Sequence, residues 1–208
     1  MDRLAVCMAG HNPTMRRFLR NNGLTLASVV FFLLFLGGQI LTGQRSYNAE
    51  QKDHDEPTIA MSAYLRTGHF VEATFENWES EFLQMGSYVL LTVWLRQRGS
   101  PESKKLDETE PVDEGPEHHR KDPDAPWAVR RGGLVLALYK NSLCIAFFTL
   151  FLASLLLHGA GGAHEYSQQQ QAHGGQPVTM VGFMQTSEFW FQSFQNWQSE
   201  FLAVAAIV

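Results

Sequence analysis

FENWESEFL at Phe75–Leu83 and FQNWQSEFL at Phe194–Leu202 are almost the same nine residues, placed 119 positions apart. Extending the comparison outward without a gap pairs Asn22–Val89 with Asn141–Val208, and 21 of the 68 paired positions are identical. Self-similarity at one fixed offset is the mark of a duplicated structural unit. Beyond the dense patch the matched residues include Gly43 with Gly162, Tyr47 with Tyr166, His54 with His173, Phe70 with Phe189 and Phe75 with Phe194.

Upstream of each copy of this motif lies an apolar block. Leu24–Leu41 and Leu143–Ala163 contain no Asp, Glu, Lys or Arg. A helix of roughly 20 such residues crosses a hydrocarbon core of about 30 Å. A further candidate, Phe82–Leu95, is extended upstream by Phe75 and Trp78 and stopped downstream by Arg96 and Arg98, as interfacial anchors do. Its counterpart starts near Phe201 and stays apolar to Val208. Each repeat therefore reads as a helical hairpin with an outer loop of roughly 35 residues. The expected fold is an all-α integral membrane protein of two tandem, parallel-repeat hairpins, with four transmembrane helices of which the last is truncated. Two crossings per repeat give both copies the same orientation. The repeat predicts a counterpart of Leu90–Arg98 after Val208. The expected segments are 1–17, an N-terminal cytoplasmic stretch; 18–96, repeat 1; 97–131, a linker; and 132–208, repeat 2.

Composition narrows the function classes. The 208 residues are 45% hydrophobic and carry 16 Lys and Arg against 21 Asp and Glu, which argues against nucleic acid as a partner. Two cysteines, Cys7 and Cys144, cannot form a disulfide framework. No nucleophile elbow, P-loop or dinucleotide-binding glycine fingerprint is present, so neither catalytic residues nor a cofactor are expected.

Positive charge sets the expected topology. Thirteen Lys and Arg lie before the first span or between the second and third, whereas only Arg45, Lys52 and Arg66 lie in the other two loops. Cytoplasmic flanks keep such charge, so the N-terminus and the linker are expected in the cytoplasm. A signal peptide is the alternative for the first span, disfavoured by the length of the run and the lack of a small-x-small cleavage site. Met15-Arg16-Arg17 reads as a natural start, with the preceding fourteen residues as an extension. The linker, rich in Pro, Glu, Asp, Lys and Ser, is expected to be a disordered tether.

FLRNNGL at Phe18–Leu24, FENWESEFLQM at Phe75–Met85, WLRQRGSPESK at Trp94–Lys104 and FWFQSFQNWQSEFL at Phe189–Leu202 together resemble a bacterial family of small four-span membrane proteins known only as a domain of unknown function. The resemblance covers nearly all of the chain after Met15. It implies fold and a bacterial inner-membrane location, and it carries over no catalytic residue. Members of that family finish on a second arginine-flanked helix end, which this chain lacks.

The NWxSEFL element carries the candidate site. On a helix Asn77, Ser80, Glu81 and Gln84 form one polar stripe, and the second copy keeps Asn196, Ser199 and Glu200. Trp78 and Trp197 suit belt anchors, with the Asn, Ser and Glu side chains bonding across helices or to loop backbone. Alternatively Glu81 and Glu200 face each other across the repeat axis as a cation or proton site, since ionisable groups at membrane depth usually have a task. His54 and His173 recur in register, yet no HExxH, CxxC or similar element accompanies them, so no metal is expected. His158, paired with Gln39, is the one titratable group of the third span. A polar residue bridging helices is the plainer role for it and a proton relay the sharper one.

These features favour a non-enzymatic structural or accessory membrane protein whose partners are the lipid bilayer and either further copies of itself or a larger membrane complex. A small transporter or channel at the inter-repeat interface is the alternative. The three consecutive aromatics Phe189, Trp190 and Phe191 suit docking on the bilayer surface or on another protein.

Overall fold

The computed structural model describes residues 13–106 and 114–208, and among these all regular structure is helical. Most of the expected N-terminal segment and the acidic centre of the linker lie outside the described residues. Eight α-helices follow in order: α1 (Pro13–Asp53), α2 (Met61–Tyr64), α3 (Gly68–Trp94), α4 (Trp127–Arg131), α5 (Gly133–Lys140), α6 (Ser142–Ala172), α7 (Met180–Met184) and α8 (Ser187–Ile207), with a short 3₁₀ turn at Pro116–His119. Two of them are long and apolar enough to cross a membrane, over Arg17–Asp53 and Ser142–Ala172. The chain forms two compact units, residues 1–64 and 65–208. The helix α3, which completes the first hairpin in the sequence, belongs to the second unit.

Both long helices run well past their apolar blocks, so the loops that follow them are shorter than the apolar pattern implies. No proline or glycine interrupts Gln44–Asp53 or His164–Ala172, and the helix continues until a residue takes a left-handed conformation. In the first unit that residue is Asp55, with φ 59°; in the second it is Gly174, with φ 77°. Glu56 N donates to Gln51 O at 2.7 Å, and Gly175 N to Gln170 O at 2.7 Å, the bond that closes a Schellman turn. Each bond sits 119 positions from the other.

The return of the chain uses matched devices. In the first unit Asn48 Oδ1 accepts from Ile59 N at 2.8 Å, and Asn48 and Gln44 side-chain amides both donate to Ile59 O. Tyr64 of α2 then fills the space above Gly43, where a Cβ would collide with its ring, and meets Tyr47 at 5.9 Å between centroids. In the second unit Ser167 Oγ accepts from Val178 N at 2.9 Å. Phe183 of α7 occupies the space above Gly162 and lies 5.5 Å from Tyr166. Thr67 and Thr186 cap α3 and α8, each accepting from the backbone N–H three residues on, Phe70 and Phe189.

Within the second unit α3 and α6 pack with their backbones in contact. A Cβ on Gly161 would lie 2.6 Å from Glu72 N, and one on Gly68 would lie 2.6 Å from Gly161 O. Small residues at helix crossings allow this approach, and close packing and polar contacts then hold the helices together. Further along, Gly86 receives Phe147 and Phe148. α8 packs against α3 and α7.

The linker carries local structure at both described ends, although its composition reads as a tether. Arg96 donates to Lys105 O and Leu106 O, closing a loop after α3. At the other end Arg120 donates to Arg130 O and Arg131 O, the free carbonyls at the end of α4, and Lys140 reaches Glu117. Ala125, Val129 and Leu136 form a small buried cluster beneath. Backbone carbonyls at a helix end are strong acceptors for guanidinium, and this orders a segment with few apolar residues.

Candidate functional site

The largest concentration of buried polar groups is where α3, α6 and α8 meet. On α3, Glu72, Glu76 and Glu79 recur at four- and three-residue steps and so share one face. On α6, His158, Gly161, Gly162 and Glu165 do the same, and all four are buried. On α8, Gln192, Ser193 and Asn196 turn toward them.

His158 is the centre. Its side chain is completely buried, as is that of Glu79, and Nδ1 lies 3.1 Å from Glu79 Oε2. Nε2 lies 3.0 Å from Gln192 Oε1, while Gln192 Nε2 donates to Glu72 Oε1 at 2.9 Å. The second oxygen of Glu79 accepts from Ser193 Oγ at 2.8 Å. Each ring nitrogen thus lies within hydrogen-bond distance of an oxygen, and each oxygen of the Glu79 carboxylate has a partner. The ring stacks on Phe189 at 4.7 Å between centroids and meets Phe183 edge-on at 6.5 Å. Phe183, Phe189 and Ala163 close the site on its apolar side. A carboxylate is rarely buried without partners, and here each partner comes from another helix, so the network joins all three.

A second contact lies further along the same helices. Gln84, buried on α3, donates to the backbone oxygen of Glu200 at 2.7 Å and to its Oε2 at 3.1 Å. Glu81 is exposed and lies three residues before Gln84 on α3. Asn196 is half-buried on α8. Asn77 is exposed and returns its amide to Ala73 O of its own helix at 2.8 Å.

The residues of the NWxSEFL element are therefore dispersed. Glu200 is bonded by Gln84 and not by Glu81, Asn196 is half-buried on α8, and Asn77 is exposed. Trp78 lies edge-on to Phe75 at 5.2 Å, and Trp197 is enclosed by Phe151, Trp190 and Phe194. His54 and His173 each bond the carbonyl four residues back, Glu50 O at 2.9 Å and Gln169 O at 2.8 Å, at the ends of α1 and α6. Among the described residues no group of three or more His, Cys, Asp or Glu side chains is arranged to hold a metal ion.

Glu72, Glu79, Gln192 and Ser193 were not part of the polar stripe expected from the motif. A signal for them does exist in the repeat. Glu79 pairs with Gln198, His158 with Gln39, Glu72 with Phe191 and Gln192 with Ala73, so the network sits where the two copies differ. Identity between copies marks the caps Thr67 and Thr186 and the glycines Gly43 and Gly162 beneath the packed rings, whereas the residues of the network differ.

The fold and site define a helical protein with a polar interior and two helices of membrane-crossing length. The family model for Domain of unknown function (DUF6766) matches residues 15–208. The chain belongs to that family. No curated protein matches the chain, and no solved structure does.

Proposed function

We propose that the protein is a non-enzymatic integral membrane protein of four spans, built from two tandem hairpin repeats, that serves as a structural or accessory component of a membrane assembly. One observation carries this reading: the distribution of polarity is inverted. Glu79, His158 and Ser193 are fully buried, while Leu24 is 84%, Phe35 68% and Leu202 71% exposed. In water this arrangement exposes large apolar surface and desolvates ions; in lipid it places apolar side chains against acyl chains and satisfies polar groups on one another. His158, Glu79, Gln192 and Ser193 are occupied with each other, which suits joining helices better than handling a substrate. The resemblance to bacterial four-span proteins and the bias of basic residues support an inner-membrane location with the N-terminus cytoplasmic.

A second reading, a small transporter or channel, is favoured by the matched acids Glu81 and Glu200, which lie on helices joined by the bonds from Gln84 to Glu200. The two are separated by one purification. The protein is extracted from membranes in mild detergent after an alkaline carbonate wash, and its mass is measured under native conditions. Retention through the wash and a second protein at fixed stoichiometry are expected. Release by carbonate overturns the membrane assignment. A homo-oligomer alone, with cation flux in liposomes abolished by Glu81→Gln and Glu200→Gln, replaces the accessory role with transport.

A further inference from the structure

We infer that the loop following α3, residues 95–106, is a binding site for the phosphate group of an anionic phospholipid. The loop is built, not merely basic. Gly99, at φ 88°, turns the chain where an L side chain is strained. Arg96 donates to Lys105 O at 2.8 Å and Leu106 O at 3.0 Å, joining the two ends. Across the middle, Gln97 N donates to Ser103 Oγ at 2.8 Å and Glu102 N to Ser100 Oγ at 3.1 Å. Tyr88 Oη, two turns back on α3, bonds Glu102 O at 3.1 Å and fixes the loop to its helix.

These bonds enclose an open cleft of about 430 Å³, lined by Arg98, Lys104, Lys105, Ser100 and Ser103 among others. Its lining is cationic and hydroxylic, Glu102 of the same loop is not among the lining residues, and the Ser103 hydroxyl donates to Lys104 O. That donor set suits a phosphate oxygen. Free phosphate and a lipid headgroup share this chemistry, and the surroundings favour the lipid. Trp94, Leu95 and Leu106 beside the cleft are all strongly exposed. A cleft that binds phosphate at the end of an apolar helix, with a tryptophan at its edge, places the headgroup at the cleft and the acyl chains along α3. The inference rests on the membrane reading above, since it takes its ligand from the bilayer.

The full-length protein is placed in nanodiscs of phosphatidylcholine alone or mixed with phosphatidylglycerol, released, and weighed under native conditions to count retained lipids. Wild type is expected to keep phosphatidylglycerol in preference to phosphatidylcholine. Each of Arg98→Gln, Lys104→Gln and Lys105→Gln should weaken that preference about fivefold, and Lys104→Arg should preserve it. Circular dichroism of each variant separates loss of the site from loss of the fold. Equal retention of both lipids by a protein that is itself embedded in the disc overturns the site while leaving the membrane reading intact. Failure of the protein to enter discs overturns both. Displacement of the retained lipid by inorganic phosphate as readily as by glycerophosphoglycerol assigns the cleft to free phosphate and overturns the lipid assignment.

Discussion

His158 on α6 and Glu79 on α3 lie 3.1 Å apart, both side chains wholly removed from solvent, and Ser193 and Gln192 from α8 complete their hydrogen bonds. Three helices are thereby fastened by four side chains, and the consequences of breaking that fastening can be stated.

Glu79→Ala leaves a buried imidazole and a buried hydroxyl without their acceptor. Removing one partner of a buried pair typically costs about 3 kcal/mol or more, so a clear fall in the unfolding midpoint of the detergent-solubilised protein is expected. Glu79→Gln keeps one acceptor and should cost about 1 kcal/mol, consistent with Gln198 at the matched position of the other copy. A Gln variant as unstable as the Ala variant would show that charge, not hydrogen bonding, holds the junction.

The crossing of α3 and α6 should tolerate no added methyl group. Gly161→Ala places a Cβ 2.6 Å from Glu72 N and 2.9 Å from a Val71 methyl, and backbone cannot yield as a flexible side chain can. A loss of about 1–3 kcal/mol is expected. Gly37→Ala meets nothing within 4 Å and, on helix propensity, should be neutral or stabilising by up to about 1 kcal/mol. Denaturation by graded detergent compares the pair directly, and equal effects would contradict the close approach.

Thr67 and Thr186 cap α3 and α8 through the same bond. Replacement of either by Ala should cost about 1 kcal/mol and replacement by Ser much less. Hydrogen exchange at Phe70 and Phe189 amides gives a local readout, since only these N–H groups lose their acceptor.

Lys140 sits beside Glu117 and, through their hydrogen bond, holds its carboxyl below the usual carboxylate range. A group with a lowered folded-state pKa contributes its interaction above the unfolded value and loses it as pH falls through the folded value. The contact between the 3₁₀ turn and the end of α5 should therefore persist at neutral pH and release in acid. Carboxyl carbon shifts followed through an acid titration should show Glu117 protonating at higher pH in Lys140→Gln than in wild type; unchanged titration would remove the pairing.

Periodicity and composition were enough to read helices over Leu24–Leu41 and Leu143–Ala163, because a run without charged residues has few alternatives to a helix of that length. They could also give the register of the repeat, and the matched caps and turns at Thr67 and Thr186, Asp55 and Gly174 sit in that register because local hydrogen bonding is written in adjacent residues. The short helices α2 and α7 were not legible, since four or five residues form no period and are held by Tyr64 and Phe183 packing over Gly43 and Gly162.

The sequence by itself determined that the chain is helical, where its apolar blocks lie, and that its halves share one plan. Tertiary structure alone decided which acids matter. Glu79 and Glu81 are two residues apart on one helix, and a rotation of about 200° separates their directions; α6 and α8 meet the face carrying Glu79. No local pattern distinguishes the two, because a carboxylate becomes a buried partner only when donors from distant helices are brought within 3 Å or so of it. His158 arrives there through the close crossing of α3 and α6 at Gly68 and Gly161, and Gln192 and Ser193 through α8 packing on α3.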